Sequence, residues 1–460
     1  MDQTVSRRQI LKVGVTLAAL PVGAAVLQAC SSASSTATAA LGPTVAPITP
    51  GPSITAGAVV APAIPKTTVR FSMAPYADNT FYIVGIKNGW FKDAGISIAP
   101  DPDGKMVLNQ DVVPLMLSGG GDISTYFPPN LIGGMSQTTA VKTIAFCDTF
   151  VGWAILANPS LKAKTLKDFM TGGMAYADAI KATLAQVKGK NWAVDIDPGE
   201  RTTFLAIALD QAGMKLQDAN VQLLQDTKTV ELAMANRIDF ASPGGAPQVV
   251  QLEVAGWTPI LTPLDIINNS PATVDSPGVS LANNTGMVST ADYVNANMDT
   301  VVRFVSVMYR IIDAYQSNFL SAAADQLPFL NSVAGTQLDA ASLKFIFSTS
   351  DPLSNFEYAA KYFVDKTSPL YYGVVYAAQI KQQQAAKVLD PTKTYNPSDV
   401  MWGDKIYTAL AGYKQQYDQT LAKLTGTLSA DRQALVDQAK ILYTNRNYLD
   451  ASRFLAAAAS

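Results

Sequence analysis

The rhythm of apolar positions changes three times along this chain. Residues 13–27 form an unbroken apolar run. Residues 31–66 hold Ala, Ser, Thr, Gly and Pro with scattered Val, Leu and Ile, and show no period. From Thr68 the pattern becomes structured. Residues 68–75 (TVRFSMAP) alternate and predict a strand. Residues 77–95 (ADNTFYIVGIKNGWFKDAG) carry Ile83, Ile86 and Trp90 at helical spacing, with Asp78 or Asn79 as candidate N-cap. Gly89 and Gly95 stand where a helix end needs left-handed backbone, and residues 96–100 (ISIAP) predict a second strand. Residues 111–135 read as helix, glycine turn, short strand and Pro-rich turn, and residues 140–158 as one long extended stretch. Residues 188–225 and 229–261 again alternate strand, helix and strand. Such alternation argues for an α/β fold with mostly parallel sheets. After Ser289 the pattern is almost wholly helical, with Ser289 and Asp292 as a candidate capping box.

The 460 residues exceed one ordinary core and predict two lobes. Lys and Arg total 34 against 36 Asp and Glu. No basic stripe invites nucleic acid. There is no histidine. That excludes Ser-His-Asp and Cys-His triads, His-ligated zinc and most general-base chemistry near neutral pH. No catalytic residue, metal site or cofactor site is expected.

The two cysteines are Cys30 and Cys147. The apolar run of residues 13–27 is shorter than the ~20 residues that span a membrane and fits a signal peptide. Arg7 and Arg8 precede it, and with Ile10-Leu11-Lys12 they resemble a twin-arginine export signal. The run ends in Leu27-Gln28-Ala29-Cys30, which resembles a bacterial lipobox. That resemblance implies cleavage after residue 29 and a diacylglyceryl group on the Cys30 thiol. Cys147 is then left as a small buried hydrophobe. Residues 30–66 become a lipid-anchored tether, reaching on the order of 110 Å at about 3.1 Å per residue.

The order of elements resembles the extracytoplasmic substrate-binding proteins of ABC transporters. The nearest group there is the nitrate, sulfonate, taurine and thiamine-pyrimidine-precursor binders. Gly89-Trp90-Phe91 followed by Gly95-Ile96 carries much of the resemblance. Residues 117–124 (LSGGGDIS), 188–194 (KGKNWAV), 208–214 (ALDQAGM), 234–242 (MANRIDFAS) and 356–373 add to it. It covers roughly residues 68–380. It implies a two-lobed periplasmic-binding-protein-like fold (type II), with residues 67–150 and 258–385 as lobe 1 and 151–257 as lobe 2. Residues 386–460 are expected as a helical C-terminal extension. The crossings are expected near residues 144–153 and 257–265. It also implies a monomer that binds a small molecule, works with a membrane permease and performs no catalysis. A sensory module or, less readily, an enzyme on the same fold are the alternatives.

Strand ends facing a cleft nominate the ligand-binding residues. Asn79 and Thr80 follow the first strand. Ser124, Thr125 and Tyr126 follow the glycine turn. Thr149 and Phe150 sit at the first crossing, and Ser242, Gly244 and Gly245 follow residues 237–241. Among Tyr76, Phe81, Tyr126, Phe127, Phe150 and Trp153 most are expected in the core, with one or two against a flat ligand. Trp90 and Phe91 are expected to wedge the first helix onto the sheet. Residues 197–204 (DPGERTTF) leave two readings open. In one, Asp197 caps a helix starting at Pro198 and Glu200 closes a capping box. In the other, Glu200, Arg201 and Thr202 enter the cleft. Related proteins have Gly-Ser or Gly-Thr there, with the helix start facing an anion. A carboxylate would instead favour amine or amidine donors, unless Arg201 turns inward.

Overall fold

The computed structural model describes residues 60–269, 277–281 and 283–460. The signal-peptide, lipobox and most of the tether expectations, Cys30 included, lie outside these residues. Among the described residues, no helix is long and apolar enough to cross a membrane.

Two sheets organise the chain. The first runs β2 (Ile96–Ala99), β1 (Thr67–Met73), β4 (Ile123–Tyr126), β11 (Asn283–Thr290), β5 (Val141–Phe150), with the short β3 (Lys105–Met106) also pairing with β1. β1, β2, β3 and β4 are parallel, while β11 is antiparallel to both β4 and β5. The second runs β10 (Thr258–Leu261), β6 (Ile155–Ala157), β9 (Phe240–Ser242), β7 (Asn191–Asp195), β8 (Asn220–Leu224). Its β7, β8 and β9 are parallel. The chain leaves the first sheet after Phe150 and enters the second at Ile155. Residues 144–150, expected at the crossing, still belong to β5. Residues 258–261 pair antiparallel with β6 and so belong with the second sheet rather than with the first lobe.

The segment around residues 81–98 packs for reasons visible in its side chains. Phe81 breaks the first helix into Ala77–Thr80 and Tyr82–Lys87. Neither Asp78 nor Asn79 caps it. The N-cap is Tyr76, without a side-chain hydrogen bond. Phe91 is buried and its ring meets Phe304 at 4.8 Å. The Arg310 guanidinium lies 4.5 Å over the Trp90 ring. The aromatic pair therefore wedges against the long helix Met298–Ser317. Gly95, at φ 76°, turns the chain into β2, and a Cβ there would lie 2.3 Å from the Pro65 carbonyl oxygen. Ser289 does not start the helical half. It lies within β11 and donates to the Asp122 carbonyl, while Thr290 caps the next helix by accepting from Tyr293 N at 3.2 Å.

The C-terminal helices Gly403–Lys423, Ala430–Thr444 and Tyr448–Ala459 are built into the first lobe. Thr143 N donates to Val400 O and Trp402 N to Thr143 O, each at 2.8 Å, which covers the free edge of β5. Arg303 and Asp450, each 2% exposed, form a bidentate pair with both N–O distances at 2.7 Å. Asn447 Nδ2 donates to the same carboxylate at 2.8 Å. Cys147 is buried against Asp148 and Thr285.

Candidate functional site

A narrow cleft of about 430 Å3, its mouth included, lies where the carboxyl ends of β1, β4, β5, β7 and β9 converge. The first lobe contributes Tyr76, Asp78, Asn79, Asn109, Phe127, Phe150 and Thr285. The second contributes Trp153, Asp195, Asp197, Gly199, Glu200, Gly244, Gly245 and Ala246. Hydrogen bonds cross between the lobes. Asn130 Nδ2 donates to Asp197 Oδ1 at 3.0 Å, Gln248 Nε2 to Ala334 O at 3.2 Å and Gln382 Nε2 to Thr203 O at 3.3 Å.

One wall is aromatic. Phe150 and Trp153 meet edge to face at 4.9 Å, Phe127 and Trp153 at 5.4 Å, and Phe127 and Phe150 at 6.4 Å. Trp153 is held by its Nε1, which donates to Gly244 O at 3.0 Å. Of the other aromatic candidates, Tyr76 lines the cleft, whereas Phe81 and Tyr126 are core.

The rest is acidic. Asp78, Asp195, Asp197 and Glu200 face the cleft, and among the described residues no lysine or arginine does. The groups that could have received an anion are already engaged by the chain's own carboxylates. Gly244 N and Gly245 N donate to Asp226 at 2.8 and 3.0 Å. Gly199 N donates to Asp197 Oδ1 at 2.9 Å. Asp197 thus performs the capping expected of it. Glu200 does not. Its side chain is 1% exposed, and neither carboxylate oxygen has a hydrogen-bond partner, so the capping box does not form. Arg201 does not turn into the cleft. Its guanidinium donates to Asp195 O at 3.0 Å.

Burial raises these acids. Asp195 is pushed up to about 9, by burial first and then by Asp226 and Asp197, and Asp226 to about 7 by burial. Glu200 is raised by burial, then by Asp195 and Asp226. Behind Asp78 lie Asp148, pushed up to about 8, and Asp351, also raised, both by burial first. Each shift reflects the cost of an ionised carboxylate away from water.

Of the residues nominated from the sequence, Asn79, Glu200 and Gly244 come together on the cleft wall, with Gly245, Phe150 and Trp153. The others do not line it. Thr80 donates to Tyr76 O at 2.8 Å and accepts from Gln326 at 2.9 Å. Ser124 pairs with Ser72 at 2.7 Å, and Thr125 accepts from Ala74 N at 3.0 Å. Thr149 bonds Asn284 and Tyr362 at 3.0 and 2.8 Å. Ser242 accepts from Trp192 Nε1 at 3.1 Å. Ser124, Thr125 and Ser242 are occupied inside the lobes because β4 and β9 are buried on both faces. The Thr202 side chain lies outside the described part. Sequence reasoning missed Asp78, Asn109, Asp195 and Thr285 as cleft residues. Asp195 ends β7, so the same strand-end rule that nominated Ser242 points to it.

Solved structures share this architecture. The alkanesulfonate-binding protein SsuA of Xanthomonas axonopodis pv. citri, bound to MOPS, matches with a TM-score of 0.51 at 12% identity, over 74% of this chain and 99% of that one. The periplasmic nitrate-binding protein NrtA of Synechocystis PCC 6803 matches at 0.52 and 16%, over 75% and 89%. The periplasmic aliphatic sulphonate binding protein SsuA of Escherichia coli matches at 0.50 and 11%, over 75% and 99%. At these identities the likeness is one of fold, and it shows the two-lobed α/β architecture of periplasmic binding proteins. No curated protein matches the chain. The NMT1-like family is matched over residues 62–322, more than half of the sequence, and the chain belongs to that family.

Proposed function

We propose that this protein is the extracytoplasmic solute-binding component of an ABC importer, closing two lobes on a small organic solute. The observation that carries this reading is the cleft itself. It is walled by both lobes at the strand ends, it holds unpartnered buried polar atoms, and the segments between the sheets are short on the first crossing. Membership of the NMT1-like family and the fold of sulfonate- and nitrate-binding proteins support it. The reading needs neither cofactor nor catalytic residue. A lipid on Cys30 would hold the protein at the membrane, where a permease meets the closed form. A sensory role would use the same closure and differ only in the membrane partner.

The test is a titration of the full-length protein followed by tryptophan fluorescence, with small-angle scattering alongside. Trp153, on the cleft wall, is the reporter. The panel spans nitrate, alkyl sulfonates, taurine, aminopyrimidines and polyamines. Saturable quenching with a smaller radius of gyration is expected for at least one class. A folded protein that binds no member refutes the solute-binding reading.

A further inference from the structure

The buried polar atoms on the cleft wall without partners share one property: they accept hydrogen bonds. They are the Asn79 and Asn109 amide oxygens, Asp197 Oδ2 and both oxygens of Glu200. Glu200 and Asp197 are 1% and 7% exposed. Leaving such groups unpaired in a low-dielectric site is costly. The donors that would suit an anion are already taken by Asp226 and by Asp197 Oδ1. Gly244 also makes room for a further carboxylate. A Cβ there would lie 2.0 Å from Asp195 Oδ2, so only glycine lets that carboxylate sit against the loop.

Resting on the solute-binding reading, we propose that the ligand is a small organic cation, an ammonium or amidinium, whose N–H groups bond Glu200 and Asp197 while its apolar part lies on Phe127 and Trp153. A cationic group above ring faces gains a further attraction from the ring quadrupole. Sulfonates and nitrate are opposed by every carboxylate that ionises and find the glycine amides engaged, whereas an ammonium offsets the cost that burial sets on ionising Glu200. A bare divalent cation would need oxygen ligands converging at one point. Among the described residues no group of three or more acidic, His or Cys side chains is arranged for that.

A matched set decides the matter: benzylammonium, benzyl alcohol and benzenesulfonate have nearly one shape and three charges. Calorimetric titration of the full-length protein in mild detergent at neutral pH should favour benzylammonium over both others by about tenfold or more. Glu200→Gln should abolish that preference, and Glu200→Asp should restore part of it. Melting curves of both variants confirm that they are folded. If benzenesulfonate binds and benzylammonium does not, the cation inference falls and solute binding stands. The inference falls equally if the preference survives Glu200→Gln, or if Ca2+ or Mn2+ binds while the ammonium is silent. If neither this set nor the wider panel binds, both readings fall.

Discussion

Raising the pH from 5 to 6.5 should destabilise the ligand-free protein. Asp148, Asp195 and Asp226 have folded pKa values of about 8, about 9 and about 7, against an ordinary 3.8. In that window the folded chain keeps protons that the unfolded chain has released. Stability is therefore complete below about pH 4 and drains away as pH rises through 7 to 9. Each proton retained on folding is worth about 1.4 kcal/mol per pH unit. One net proton gives about 2 kcal/mol across the window and three give about 6, and Asp78, Glu200 and Asp351, also raised by burial, act in the same sense. Carboxylates with lowered pKa, such as Asp168 beneath its Thr165 hydrogen bonds, act in the opposite sense, but below about pH 4. Urea midpoints at the two pH values measure the difference. Asp195→Asn should flatten the profile and raise stability at pH 6.5. A midpoint that is constant or rises between pH 5 and 6.5 would refute the picture of uncompensated acids in the cleft.

Three further outcomes follow from particular contacts. Asp450→Asn leaves Arg303 buried and unpaired and should cost about 3–5 kcal/mol, while the double change to apolar side chains should recover most of that loss; both are read from denaturant midpoints. Gly244→Ala should drive Asp195 out of position, costing about 1–3 kcal/mol and lowering ligand affinity by about tenfold or more in the same calorimetric titration. Cys30→Ala should move the protein from the membrane fraction to the soluble one on fractionation, and firm membrane retention would defeat the lipid-anchor reading.

The fold was readable because it is carried by period. The alternating strand at residues 68–75 and the glycine-ended helices after it are local signals, and they recur in order up to β10. The cleft was less readable because its composition depends on what pairs elsewhere. Ser124, Thr125, Thr149 and Ser242 stand at strand ends, yet each finds a partner inside its own lobe. Nothing local to Ser242 announces Trp192, 50 residues earlier in the chain. Glu200 had two local readings of equal chemical sense. The first was lost because the Asp197 N–H that a capping box would offer the glutamate already donates to Asp195 Oδ1 at 3.1 Å. The C-terminal helices gave an amphipathic pattern but no address. Their position is fixed by Arg303, Asp450 and the edge of β5, all far apart in sequence.

The extra helices give the two halves unequal weight, and this bears on which half moves. Ile64, the entry to β1, packs against the cluster formed by those helices, so the chain arrives from residue 1 on the heavier side. A lipid tether of the kind proposed would enter there and hold the heavier half as a stator. The half holding β6–β10 would then be the rotor, and its smaller bulk would set the viscous drag on each opening and closing. A membrane partner would meet a docked base and a swinging jaw, and it could read occupancy from the jaw alone.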